Sequence, residues 1–149
     1  LKYQFPKKIT DQLAIVAEMQ TTYLAARLQK IDLDLPMSKL LRQIADNPNI
    51  SEGEIAEAIN FQPVSISHMV DQLEKRSLVV KVTNLVDQPD VQVSLTADGD
   101  IVMKKVTEIS SDLTRLISPC VEGEGIVDIY TYFKLLKEQL QVLDIVEDE

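Results

Sequence analysis

Ile50-Ser51-Glu52-Gly53-Glu54-Ile55-Ala56, continued through Asn60-Phe61-Gln62-Pro63 to Lys75-Arg76, is the stretch on which the fold turns. Ser51 and Glu54 stand at the S-x-x-E spacing of a capping box, in which each side chain satisfies the other residue's backbone N–H. Ile50 before the cap and Ile55 four positions into the helix add a hydrophobic staple. A helix therefore starts at this serine. Ala56 and Ile59 complete its buried face, and Asn60, which tolerates left-handed geometry, leads out of it. Pro63 suits the first position of a second helix, where its fixed φ helps and its missing N–H costs nothing. That helix is predicted to reach about Arg76, burying Ile66, Met69, Val70 and Leu73 on one stripe. Ser67, His68, Asp71, Gln72 and Lys75 fall on the other side. Two short helices joined by a tight turn form a helix-turn-helix.

Upstream, Leu13, Val16, Ala17, Leu24, Leu28 and Ile31 recur at helical spacing, so a long helix is expected from about Thr10, as N-cap, to Lys30. Asp32, Asp34 and Pro36 interrupt it. Met37, Leu40, Leu41 and Ile44 then share one face of a shorter helix that ends at Asp46-Asn47-Pro48-Asn49. Downstream of Ser77 the period changes to two. Val79 to Leu85, and Val91, Val93 and Leu95 alternating with Gln92 and Ser94, read as a β-hairpin across Val86-Asp87-Gln88-Pro89-Asp90. Thr96 can cap the next helix, whose seam is Val102, Val106, Ile109, Leu113 and Leu116 until Ser118-Pro119 stops it. A last helix after Gly123-Glu124-Gly125 carries Ile126, Ile129, Phe133, Leu136, Leu140 and Leu143. Both closing seams are longer than a small core needs, so part of each is expected to face a second copy of the chain.

Composition narrows the function classes. With 149 residues, 45% hydrophobic and 26% charged, the chain has apolar material enough for a core, which argues against disorder. No run approaches the roughly 18 apolar residues of a membrane span, and Leu1 to Gln12 contains no secretory apolar segment, so a cytoplasmic protein is expected. One cysteine, Cys120, permits no internal disulfide, and one histidine, His68, supplies no zinc cluster. No metal, no cofactor and no catalytic residue is expected. His68 lies at an exposed helical position without a serine, cysteine or carboxylate spaced as an active site.

The order of helix, helix, helix-turn-helix, hairpin and two long helices gives a mostly α fold with a small β-hairpin wing. The sequence resembles the MarR family of bacterial transcriptional regulators over nearly its whole length. The resemblance rests on Leu35-Pro36-Met37-Ser38-Lys39-Leu40-Leu41, on Ile50 to Ala56, on Ser65 to Val79, and on Val93-Ser94-Leu95-Thr96-Ala97-Asp98-Gly99. It implies a single MarR-like domain over 1–149, with a winged helix-turn-helix at about 36–96 and dimerisation helices at 10–31 and 97–146. It also implies a cytoplasmic homodimer whose second motif helix enters the major groove of double-stranded DNA at a pseudo-palindromic site. Such a protein acts as a repressor, relieved by a small aromatic ligand held between the dimerising helices and the winged domain.

On this reading the DNA-binding residues are Pro63, Ser65, Ser67, His68, Gln72, Lys75, Lys81 and Gln88, most of them able to bond phosphates or base edges. The chain departs from its relatives in one direction. Arg is common in the family's recognition helix and wing, whereas His68 and Gln72 stand here in the helix and Asp87-Gln88-Pro89 in the wing. From Pro36 to Thr96 there are five Lys or Arg against eight Asp or Glu, a balance of -3 within a chain of net charge -9. Phosphate neutralisation supplies most non-specific affinity, so binding to DNA should be weak for the family. The alternative is a MarR-like sensing or protein-interaction module that has lost tight DNA binding. Cys120 lies between the last two helices, unlike the N-terminal reactive cysteine of peroxide-sensing relatives, and an inert thiol is expected.

Overall fold

The Ser51 hydroxyl accepts the Glu54 backbone N–H at 3.1 Å while the Glu54 carboxylate accepts the Ser51 N–H at 2.8 Å, so the capping box is complete. A computed structural model describes residues 5–83, 91–120, 131 and 133–141. Its elements are α1 (Phe5–Leu28), α2 (Leu35–Asp46), β1 (Ile50–Ser51), α3 (Glu52–Ile59), α4 (Pro63–Lys75), β2 (Val79–Thr83), β3 (Val91–Leu95) and α5 (Ala97–Ile117). Short 3-10 turns follow α1 at Gln29–Ile31 and α5 at Ser118–Cys120. Residues 133–141 form a further helix, α6. The chain divides into two compact units, Leu1–Leu113 and Thr114–Glu149.

Local chemistry explains the boundaries. α1 begins at Phe5 rather than at Thr10, because Pro6 is tolerated in a first turn and nothing between it and Thr10 breaks the helix. Asp34 caps α2, its carboxylate accepting the Met37 N–H at 2.7 Å, with Pro36 in the first turn. Asn60 closes α3 at φ 54°, ψ 54°, and the chain re-enters a helix at Pro63 after an extended Gln62. Thr96 caps α5. Its hydroxyl accepts the Gly99 N–H at 3.0 Å and donates to the Ser77 carbonyl at 2.6 Å.

The core of the first unit gathers Leu28, Leu33, Leu40, Leu41, Ile44, Ile55, Ile66, Val70, Leu73, Val79, Val93 and Val106, all buried. Ile50 and Ile55, the two halves of the staple, both belong to it. The hairpin strands pair antiparallel, with Val79 opposite Leu95 and Thr83 opposite Val91. A third strand is added by β1, where Ile50 pairs with Val93 and Ser51 with Gln92, giving the order β1-β3-β2. The capped start of α3 is thereby fastened to the sheet as well as to its own helix. Gly99 permits a close approach of α5 to the chain entering β2, since a Cβ there would lie 2.0 Å from the Leu78 carbonyl oxygen.

Apolar side chains also face outward in each unit. In the first, Ile15, Val16 and Met19 of α1 are exposed; in the second, Leu116, Phe133, Leu135 and Leu140 are. Ile126, Ile129, Leu143 and the hairpin turn lie outside the described residues.

Candidate nucleic-acid interface

The buried stripe of α4 determines what its opposite side presents. Ile66, Met69, Val70 and Leu73 pack inward, leaving Pro63, Val64, His68, Asp71, Glu74 and Lys75 exposed. His68 and Gln72, one helical turn apart, are joined by a 3.1 Å hydrogen bond between the imidazole Nε2 and the amide Nε2.

Three of the predicted contact residues, Pro63, His68 and Lys75, therefore lie on the open face. Ser65, Ser67 and Gln72 are half-buried rather than exposed. Ser67 turns toward α3, where its hydroxyl donates to the Glu52 carboxylate at 2.5 Å and joins the two helices of the motif. Gln88 lies outside the described residues.

Lys81 projects from β2 back onto α4. Its ammonium reaches the Asp71 carboxylate at 2.5 Å and the Glu74 carboxylate at 3.4 Å. The hydrogen bond from Lys81 holds the Asp71 carboxyl below the usual range, and the same bond holds the Lys81 ammonium above its own. The cation of this strand is thus bound to acidic side chains of the helix beside it. Arg76 is likewise occupied: its guanidinium donates to the backbone carbonyls of Asp32 at 2.6 Å and Ile31 at 3.3 Å, bracing the end of α4 against the turn after α1.

Val64, left out of the contacts expected from the sequence, is 78% exposed in the first turn of α4. The signal was present. At about 100° per residue, the stripe centred on Ile66 and Leu73 places Val64 almost diametrically opposite.

A second feature lies in the same unit, between α1, α2 and α5. A cavity of about 160 Å³ is walled by apolar residues including Leu24, Leu28, Val106 and Ile109, and Lys39 and Arg42 also line it. Arg42 donates to the Ser110 hydroxyl at 3.4 Å across this space. Among the described residues no three His, Cys, Asp or Glu gather as a metal site, and no helix is long and apolar enough to cross a membrane.

Comparison with known proteins agrees with this geometry. Residues 33–88, from the turn before α2 through the helix-turn-helix and β2, match the MarR family model. The HTH-type transcriptional repressor MdtR of Bacillus subtilis is 30% identical over 67 residues, covering 45% of this chain and 43% of that protein. The chain thus matches under half the length of this curated relative. Among solved structures, the S. aureus MepR-DNA complex superposes with a TM-score of 0.77 at 13% identity, covering 87% of this chain and 96% of the other. A mutant MarR from E. coli complexed with operator DNA gives 0.73 at 18% identity, covering 87% and 93%. These two likenesses establish the fold. The family model falls on the same helices that present the open face of α4, and over residues 33–88 the chain is similar to the MarR family.

Proposed function

We propose that the chain is a DNA-binding transcriptional regulator that acts as a repressor, binds a pseudo-palindromic duplex as a homodimer, and is released by a small ligand. The observation that carries the reading is the α3–α4 helix-turn-helix with its neighbouring hairpin, in which α4 holds Pro63, His68 and Lys75 on an open face. In such motifs the second helix lies in the major groove, with its N-terminal residues on base edges. A repressor of B. subtilis among the relatives, and two structural neighbours complexed with DNA, support the same direction.

Dimerisation is supported by the outward apolar residues of α1, the end of α5 and α6, since such side chains commonly mark an interface. Two copies related by a two-fold axis would set two α4 helices on successive major grooves. Ligand release is supported by the cavity between α1, α2 and α5. An engineered apolar cavity of about 150 Å³ in another protein holds benzene, so this volume suits one aromatic ring. Lys39 and Arg42 would receive an acidic substituent on that ring.

The charge balance favours a second reading, a sensing or protein-interaction module without tight DNA binding. Lys81 and Arg76 are both engaged within the protein, leaving Lys75 as the exposed cation of α4. Selection of bound duplexes from a random double-stranded pool, followed by affinity measurement at two salt concentrations, separates the two. Enrichment of a pseudo-palindrome with salt-dependent binding is expected for the regulator. A pool that stays random would establish the second reading.

A further inference from the structure

We infer that Val64 is a specificity-determining residue that reads the 5-methyl group of a thymine in the major groove. The inference rests on the DNA-binding reading above and adds the chemistry of one base contact to it. Four bases present donors and acceptors in the major groove, but only thymine presents an apolar group there. Val64 is 78% exposed, in the first turn of α4 beside the exposed Pro63, where a recognition helix places its base-reading side chains. Its neighbour one turn on, His68, is also exposed and is bonded to Gln72, so an imidazole held by an amide adjoins Val64 on the open face.

The local structure gives the valine no internal role. It lies opposite the buried stripe of α4, and a β-branched residue is a poorer helix former than alanine at an exposed position. A short, stiff, branched side chain has little rotamer freedom to lose on contact, which suits it to one methyl-sized target. Weak phosphate neutralisation raises the share of affinity that such direct contacts must carry. With Lys81 held by Asp71 and Glu74, its ammonium is engaged within the protein, which leaves apolar contact at Val64 a larger part of what the open face of α4 offers.

The test uses the full chain and a duplex selected from a random pool. Each thymine is replaced in turn by deoxyuridine, which removes only the 5-methyl group. One position in each half-site should lose about fourfold in affinity for the parent protein, the value of one buried methyl-sized group. Val64→Ala should bind the thymine duplex with about the same loss and should no longer distinguish the two bases at that position. Alanine at an exposed helical site leaves folding intact. If the parent is indifferent to every deoxyuridine, or if Val64→Ala keeps the parent's sensitivity, Val64 does not read a methyl group, while sequence-specific DNA binding itself stands. If no sequence is enriched from the pool, the DNA-reading function falls and this inference with it.

Discussion

Lys81 Nζ lies 2.5 Å from Asp71 Oδ1, and this contact fastens β2 to α4 beside it. The pair has a defined pH window. The folded-state pKa of Asp71 is depressed, so its contribution is present above the ordinary carboxylate value of 3.8 and is lost as pH falls through the folded value. That of Lys81 is raised, so its contribution is present below the ordinary value of 10.5 and is lost as pH rises through the folded value. Urea unfolding of the protein and of Lys81→Met should therefore differ between these limits and converge toward both extremes. Because the groups are exposed to solvent, the difference should be small and should shrink with added salt. A difference that does not change with pH would show that Lys81 acts through packing of its aliphatic stem.

Ser51→Ala removes the side-chain half of the capping box and should cost about 0.5 to 2 kcal/mol in chemical denaturation. The Glu54 carboxyl is held below its usual range, first by the Ser51 backbone N–H. Glu54→Gln should therefore match the parent most closely in acid, where the parent carboxylate is protonated and its charged hydrogen bond is gone. Equal stability of Ser51→Ala and the parent at neutral pH would remove the cap from the account of how α3 begins.

Gly99→Ala should destabilise by about 1 to 3 kcal/mol, the range for overpacking a filled site. The added carbon would meet the Leu78 carbonyl oxygen at 2.0 Å and the Leu95 side chain at 3.3 Å. Leu78 cannot retreat freely, because the same carbonyl accepts the Thr96 N–H at 3.1 Å. Thermal unfolding reads the effect, and an unshifted midpoint would mean that α5 can slide on the sheet.

Features coded within a few residues were legible in the sequence. Ser51 and Glu54, Asn60 and Thr96 each satisfy backbone groups no more than about a turn away, and Pro63 brings a φ already set for a helix start, so their spacing alone specifies the geometry. Thr10 misled because a cap residue with a polar side chain also occurs inside helices, and the chain before it could continue the helix. The pairing of Ile50 with Val93 was hidden, since a two-residue strand leaves no alternating pattern. At the candidate interface, the exposure of His68 and Lys75 followed from helical phase. The inward turn of Ser67 to Glu52 and the capture of Lys81 depend on how separate elements meet, which no local spacing records.

Leu140→Glu should convert the proposed dimer to monomer. Leu140 is 62% exposed within one chain, so a charge there costs the isolated fold little. At an apolar interface between copies the same charge would be buried unpaired, at a cost of several kcal/mol or more. Sedimentation of the parent and the variant at micromolar concentration should show a dimer and a folded monomer, respectively. A dimer for both would place the interface away from α6.

The double change Asp71→Asn and Glu74→Gln tests whether the acidic partners of Lys81 restrain DNA binding. Removing them takes two negative charges per chain from the exposed side of α4 and leaves the Lys81 ammonium free to meet a phosphate. Each new phosphate contact should steepen the slope of log affinity against log salt by about 0.9, doubled if two chains bind one duplex. Affinity should rise on every duplex with the preferred sequence unchanged, because phosphate contacts position while base contacts specify. This distinguishes the change from Val64→Ala, which should alter preference at one base. Both substituted carboxylates are exposed and neither belongs to the core, so the fold should tolerate the pair. Anisotropy of a labelled duplex between about 50 and 200 mM salt measures both quantities. If affinity and slope both stay at the parent's values, Lys81 does not face the phosphate backbone and the orientation of α4 on DNA must be redrawn.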